Sequence, residues 1–326
     1  MSLDVQILTA LRAAGDGGVS GADLSQELGV SRAAIWARIE DLRSLGYDIE
    51  ASPHRGYRLL SAPDVLHADD LLSRLGRTQV VGRDIRVFQE TASTNDVVEK
   101  LARDGVEEGV VVFAETQTHG RGRLGRRWMS PAKRGLWFSV LLRPALRPQE
   151  ATWLTVASAT ALRRAIESQT GLAPQIKWPN DILLRKKKVA GILTELNAEP
   201  DRIKYAVVGI GVDVNPDPGD FPPELRKVAT SLKAELGEPV LRPDLAVAIL
   251  RELDRDYARV AARQFTALAD EWEEHGATIG HDVVVRIGHR RVCGRAESLG
   301  EDGELLVRTE HGHLERITGG DVTLQK

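Results

Sequence analysis

The sequence predicts an α+β protein in three parts: an N-terminal winged helix-turn-helix over residues 1–62, a central mixed-sheet α+β domain over 63–276, and a C-terminal small β-barrel over 277–326. Three observations predict it. Apolar residues recur at helical spacing in three short runs near the N-terminus. Strands and helices then alternate, but several strands are joined by turns too short for a crossover helix, which favours a largely antiparallel sheet. The last segment holds short strands split by glycine turns, the spacing of a small barrel. At 326 residues the chain also exceeds the roughly 250–300 that one core organises.

In the first part, Val5, Ile7, Leu8 and Leu11 form a helical stripe that Gly15-Asp16-Gly17-Gly18 ends. Ser20-Gly21-Ala22-Asp23 has capping-box spacing, with Asp23 for the usual Glu, and opens a helix carrying Leu24 and Leu28. Gly29 stops it. Ser31 is placed to cap a third helix, where Ile35, Ile39 and Leu42 share one buried face. The short Leu28-Gly29-Val30-Ser31 junction is the helix-turn-helix pattern. Residues 47–50 and 57–60, around Ser52-Pro53-His54-Arg55-Gly56, make a hairpin wing. Such a module is either structural or DNA-reading. Its slight acidity argues for the first. Outward-facing Arg32, Arg38 and Arg43, with His54, Arg55 and Arg58 on the wing, argue for the second, because a recognition helix needs only a few donors. Ser31, Arg32, Arg38 and Arg55 are the expected DNA contacts. Trp36 is expected to pack at the wing.

Ser61-Ala62-Pro63-Asp64 has linker composition. Beyond it, strands are expected at 80–88, 110–115, 136–143, 182–184, 189–196 and 203–212, with helices at 94–103 and around 153–170. Helices at 243–260 and 265–275 precede barrel strands at 282–287, 291–299, 304–310 and 314–318.

Bulk properties exclude several classes. A net charge of -3 gives no global field for nucleic acid or an anionic membrane, so any DNA contact needs a local basic cluster. Cys293 is the single cysteine, which excludes an internal disulfide and a thiolate zinc site; it reads as a strand residue rather than a nucleophile. Met1-Ser2-Leu3-Asp4-Val5-Gln6 lacks a signal-peptide pattern, and no run approaches the ~20 apolar residues of a membrane span. A cytoplasmic protein without membrane contact is expected.

The segment Gly120-Arg121-Gly122-Arg123-Leu124-Gly125-Arg126-Arg127-Trp128 carries the chemistry. Gly120-x-Gly122-x-x-Gly125 formally meets the dinucleotide fingerprint, yet Pro131 and Gly135 oppose the helix it requires and no acidic residue stands where a ribose needs one. Four arginines between glycines instead suit an anion clamp. Joining a carboxylate to the α-phosphate of ATP brings two anions together, and fixed guanidinium and backbone N–H groups stabilise the charge that builds. Flexible glycines also let such a loop close over a reactive intermediate.

The segment from Glu115 to Arg123 resembles the biotin-adenylate loop of biotin–protein ligases, and further blocks agree in order. Ser93-Thr94-Asn95 resembles the segment that contacts the biotin rings. Lys177-Trp178-Pro179-Asn180-Asp181, the strand Lys188-Val189-Ala190-Gly191-Ile192-Leu193-Thr194-Glu195, and Gly209-Ile210-Gly211-Val212-Asp213-Val214-Asn215 each resemble a block of that family. Gly319-Gly320-Asp321-Val322-Thr323-Leu324 is similar to its last strand. The resemblance covers nearly the whole chain, including the winged helix of the bifunctional type, which represses biotin-synthesis genes. Asp213 departs from the family, which commonly has Asn there, and His119 replaces a small residue.

The resemblance implies that Lys188 bridges the biotin carboxylate and the ATP α-phosphate, although Lys186-Lys187-Lys188 by itself reads as an exposed turn. Lys188, Arg121 and Arg123 are the implied catalytic residues. Ser93, Thr94, Asn95, Gln117, Gly120, Arg121, Gly122, Arg123 and Lys188 are assigned to biotin; neutral amides and hydroxyls suit its ureido ring. Arg121, Arg123, Trp128, Asn180, Asp181, Gly191, Gly209 and Asn215 are assigned to ATP and the adenylate. Asp181 is the candidate Mg²⁺ ligand, with a structural turn as the competing reading. Arg126 and Arg127 are assigned to nucleotide, carrier or solvent. The reading is therefore a ligase that forms biotinyl-5′-AMP and biotinylates a lysine of the biotin carboxyl carrier protein of acetyl-CoA carboxylase. Operator DNA and a homodimer in the adenylate-bound state are the further implied partners. A lipoate–protein ligase and a non-catalytic, ligand-sensing transcription factor are the alternatives.

Overall fold

Three serines start the first three helices, each accepting a backbone N–H that the first turn leaves free. Ser2 takes Val5 N at 3.2 Å, Ser20 takes Ala22 N at 3.1 Å and Ser31 takes Ala34 N at 3.1 Å, opening α1 (Leu3–Ala14), α2 (Gly21–Leu28) and α3 (Arg32–Ser44). The computed structural model describes residues 2–53 and 55–325, so His54 lies outside the described residues. Ile7, Leu8, Leu11, Leu24, Ile35, Ile39 and Leu42 bury one another as the helical spacing predicts, joined by Tyr47 and Ile49. The wing is the antiparallel pair β1 (Asp48–Ser52) and β2 (Gly56–Ser61). Trp36, expected to be packed, stands 58% exposed on α3.

This first compact unit runs to Gly76 and includes Leu241–Val247. It contains α4 (Ala68–Leu75), a helix too short for its Leu71/Leu75 pair to signal it. Asp70 on α4 is buried and takes both Arg12 and Arg74. Asp64, read as linker, accepts from the backbone N of the fully buried Arg242 at 3.0 Å and from its side chain.

The second unit holds a seven-stranded mixed sheet. In chain order its elements are β3 (Asp84–Thr91), α5 (Thr94–Arg103), β4 (Val110–Gln117), β5 (Leu136–Leu142), α6 (Thr152–Thr170), β6 (Gln175–Lys177), β7 (Asp181–Leu184), β8 (Lys187–Ala198) and β9 (Ile203–Val212). The helices α7 (Leu232–Leu236), α8 (Arg242–Ala261) and α9 (Phe265–Glu274) follow. The strand order is β3-β4-β5-β9-β8-β7-β6, parallel at β3/β4 and antiparallel at every other pairing. Residues 80–83 were expected in the first strand and are not. Asp254 instead accepts the N–H groups of Gln79, Val80 and Val81 at 2.8, 2.7 and 2.9 Å, holding this stretch in a turn before β3 begins.

The last segment is a five-stranded antiparallel sheet of β10 (Asp282–Ile287), β11 (Arg290–Leu299), β12 (Leu305–Thr309), β13 (Leu314–Ile317) and β14 (Asp321–Leu324), in the order β13-β12-β11-β10-β14. Cys293 is a free thiol on β11, as expected for a strand residue.

Candidate active site

The floor of the site is made of absent side chains. Gly209 and Gly211 share one face of β9, Asp213 is the first residue past its end, and Gly191 on β8 pairs with Gly211. A Cβ on Gly211 would stand 2.6 Å from the Trp128 indole, one on Gly191 would meet the Lys188 ammonium at 3.0 Å, and one on Gly209 would overlap Asn95. The glycines therefore let Asn95, Trp128 and Lys188 lie directly on the sheet. Above them opens a cavity of about 1070 Å³, whose lining includes Ser93, Gln117, Arg121, Gly122, Arg123 and Asp181.

At the Gly209 end is a neutral hydrogen-bonding cluster. Gln117 accepts the Thr94 N–H at 2.8 Å and donates to Ser130 at 2.9 Å. The Thr94 and Ser139 hydroxyls are 2.7 Å apart, Ser139 donates to Asn95 Oδ1 at 2.5 Å, and Asn95 Nδ2 donates to Glu195 at 2.6 Å. Each amide is fixed in orientation by these partners. Ser139 and Glu195 were not assigned from sequence. The available signal for Ser139 was a lone hydroxyl within the otherwise apolar β5.

At the other end are Lys188 and Arg123, while the Arg121–Glu195 pair borders the first. Lys188 Nζ lies 2.6 Å from Asp181 and 5.1 Å from the centroid of a Trp128 ring. Its backbone is pinned on both sides, Lys188 N to Val228 O and Thr230 N to Lys188 O, each at 2.8 Å. Arg123 is half-buried; burial lowers its pKa against the pull of Asp181 and Asp321, and its NH1 donates to Asn180 Oδ1 at 3.2 Å. Asn180 is itself held by donating to Ile192 O at 2.7 Å. Arg121 lines the cavity with its guanidinium on Asp96 at 2.7 Å and Glu195 at 3.2 Å. Arg126 pairs with Asp321 at the start of β14, and Arg127 is exposed. Burial raises the Asp213 carboxyl well above the usual range, with Lys188 opposing.

Two assigned residues do not reach the cavity. Asn215 commits both amide atoms to the Val240 backbone, 2.9 Å to its O and 3.0 Å from its N, so its adenylate role is withdrawn. Gly120 sits where the arms of the Arg/Gly loop cross: Trp128 N donates to its carbonyl at 2.9 Å, and a Cβ there would stand 2.5 Å from Trp128 O. No helix follows the loop, only a 3-10 turn at Arg123–Gly125 with Leu124 at φ 57, which agrees with rejecting the dinucleotide motif. Part of the wall was not foreseen from sequence, because Arg286, Thr323 and Gln325 of the last sheet also line the cavity.

On the first unit, the proposed DNA contacts divide. Ser31 caps α3, and Arg32 and Arg55 are exposed and have no ion-pair partner among the described residues. Arg38, by contrast, is bound by Asp4 and Asp41, Arg43 by Glu40 and the Ile49 carbonyl, and Arg58 by Glu50.

Residues 87–215 match the biotin/lipoate A/B protein ligase family model, and residues 5–58 match a helix-turn-helix domain model. The chain is 38% identical over 311 residues, 95% of each chain, to the bifunctional ligase/repressor BirA of Bacillus subtilis. It is 34% identical to the biotin–[acetyl-CoA-carboxylase] ligase of Mycobacterium tuberculosis over 76% of this chain and 92% of that one. Among solved structures, the biotin protein ligase of Aquifex aeolicus in complex with biotin and ATP superposes with a TM-score of 0.64 at 30% identity, covering 75% of this chain and 99% of that one. With Lys188 and the glycine floor lying within the ligase match, a helix-turn-helix match before them and relatives alike over nearly the whole chain, the chain belongs to the biotin/lipoate A/B protein ligase family.

Proposed function

We propose that the chain joins biotin to ATP to give biotinyl-5′-AMP and pyrophosphate, then transfers the acyl group to a lysine of biotin carboxyl carrier protein in the cytoplasm. The observation that carries this reading is the pairing, in one cavity, of a neutral amide–hydroxyl cluster with Lys188 and Arg123. The cluster suits a ureido ring. The two cations suit the reacting carboxylate and α-phosphate.

In the first step a biotin carboxylate oxygen attacks the α-phosphorus and the bond to pyrophosphate breaks. Lys188 and Arg123 stabilise the charge that accumulates there, an effect worth several kcal/mol in a water-poor site, while Arg121, expected from sequence to act with them, is held by Asp96 and Glu195. In the second step the carrier lysine, as a free amine, attacks the carbonyl of the mixed anhydride; AMP leaves and the amine loses a proton. No enzyme nucleophile is required, because the anhydride is already activated. Trp128, Asn180 and Gly191 shape the nucleotide side, whereas Gly209, assigned to ATP from sequence, lies against Asn95 at the ureido end. Asp181 is the Mg²⁺ ligand in this reading. Among the described residues there is no cluster of three or more His, Cys, Asp or Glu that could hold a metal. When bound, Mg²⁺ neutralises phosphate charge.

The winged helix supports the second activity, biotin-responsive repression of biotin-synthesis genes at an operator, with Ser31, Arg32 and Arg55 as contacts; Arg38, the fourth expected from sequence, is left out because Asp4 and Asp41 hold it. A homodimer formed by the adenylate-bound protein is part of the proposal. No helix among the described residues is long and apolar enough to cross a membrane.

The test is biotin-dependent ATP–pyrophosphate exchange, run beside lipoate, with mass measurement before and after both substrates. Exchange with biotin, none with lipoate, and a retained adenylate are expected. Lys188→Ala should fold normally and lose exchange; normal exchange in that variant would remove Lys188 from the chemistry.

A further inference from the structure

Asp213 is a carboxyl that the fold isolates. It is 7% exposed, it lines the cavity, and among the described residues its side chain has no hydrogen-bond partner. Its backbone is fully used: Asp213 N donates to Val189 O at 2.9 Å and Asp213 O accepts from Leu232 N at 3.0 Å, so the residue cannot turn away. The charge that bears on it is the Lys188 ammonium, and Asp181 already holds that ammonium at 2.6 Å. Asp181 has Arg123 acting on it as well, whereas Lys188 is, among the described residues, the one cation that bears on Asp213. Burial opposes the ionised form of Asp213, and the one ammonium that bears on it is already held by Asp181.

Its place just past β9 says which substrate it meets. Gly209 faces the neutral cluster at Asn95, Gly211 faces Trp128, and Asp213, the first residue past the strand, comes next beside Lys188. At about 3.3 Å per residue, Gly209 and Asp213 are roughly 13 Å apart. If the neutral cluster takes the ureido ring and Lys188 the reacting carboxylate, the Asp213 end faces the nucleotide. A carboxylate there offers acceptors only, whereas a carboxylic acid offers one O–H donor as well.

We propose that Asp213 keeps its proton and donates the O–H to an acceptor atom of ATP and of the adenylate. It is a nucleotide-binding residue working as a neutral acid, and this assignment rests on the ligase reading above.

Infrared difference spectroscopy on the full chain tests it. The carbonyl band of a protonated carboxylic acid, assigned by its loss in Asp213→Asn, is expected at neutral pH and is expected to move when biotin and ATP are added. Asp213→Leu, which has no donor, is expected to raise the KM for ATP about tenfold, the ordinary cost of one lost hydrogen bond of about 1–1.5 kcal/mol, and to leave the KM for biotin in place. A missing band, or a band that nucleotide leaves unmoved, overturns the proposal. If Asp213→Leu does not fold, the infrared measurement on the unaltered chain still decides. Failure of the ligase reading looks different: biotin and ATP would then give no retained AMP adduct at all.

Discussion

The winged-helix unit and the cavity treat buried carboxylates in opposite ways. Asp4 and Asp70 on the first unit are 5% and 1% exposed, and arginines meet both, Arg38 on the one and Arg12 with Arg74 on the other. In the cavity Asp213 has no arginine among the described residues, and the one cation that bears on it, Lys188, is already held by Asp181. The cations show the same contrast: the buried carboxylates of the first unit hold their arginines, while half-buried Arg123 donates to the neutral amide oxygen of Asn180. Charge that is matched inside the protein contributes to folding and has little left for a ligand. Charge left partly unmatched costs stability and is available to a substrate that completes it.

The largest expected effect follows from the unmatched side. Arg123→Ala should lower kcat/KM for adenylate formation about a hundredfold, the scale seen when one fixed donor to a developing charge is removed. Its melting temperature should stay level, since the substitution removes a single hydrogen bond to Asn180 from the folded protein. A variant that melts early while keeping its rate would invert the contrast. Arg38→Ala tests the matched side. It leaves Asp4 buried without its partner and should destabilise the first unit by about 2 kcal/mol, read by denaturant melting, with adenylation unchanged. The figure stays below that of a fully buried pair because Arg38 is 40% exposed.

How legible these features were depended on the range of the interaction. Helix α5 and strand β9 were predicted with their observed bounds, because a helical apolar stripe and a continuous apolar run are local signals. The three-residue β6 was missed because Gln175-Ile176-Lys177 is too short to show a period. Outward facing of Arg38 was read correctly from helical spacing, yet its partner Asp4 lies 34 positions earlier, and no period reports that. The site behaved likewise. Resemblance picked Lys188 out of three consecutive lysines, and the structure puts it in the cavity. Resemblance also carried Asn215 along with its glycine-rich block, although the chain leaves β9 after Val212 and turns that amide onto Val240. Neighbours in a motif need not be neighbours in space.

A matched carboxylate in the second unit gives the pH version of the comparison. Burial alone would raise the Glu150 carboxyl, but hydrogen bonds from the Arg147 side chain and backbone and from Arg263 bring it from 4.5 down to about 2. A carboxyl lowered on folding stabilises the protein above its unfolded value, and that stability is lost as pH falls from about 4.5 toward 2. Since both guanidinium partners are more than half exposed and screened, about 1–2 kcal/mol is expected. Stability should therefore fall more steeply with acid in the unaltered chain than in Glu150→Gln. Parallel acid curves for the two would show that the pair contributes nothing.

The smallest effect separates two arginines on one helix. Arg32 and Arg38 both lie on α3, but Arg38 is matched by Asp4 and Asp41 while Arg32 is exposed with no ion-pair partner among the described residues. If unmatched charge is what serves a ligand, Arg32→Ala should weaken operator binding several-fold and lower the salt slope of binding by about one, as expected for the removal of one phosphate partner. Folding should change by less than about 0.5 kcal/mol, the usual range for an exposed substitution. Measuring binding against salt for both variants gives the decisive pairing. Arg38→Ala, once corrected for the fraction unfolded, should keep the slope of the unaltered chain, because its guanidinium is already neutralised. A reduced slope in Arg38→Ala and an unchanged one in Arg32→Ala would mean that DNA displaces Asp4 from Arg38, and that the internal pairing does not decide which cations serve a ligand.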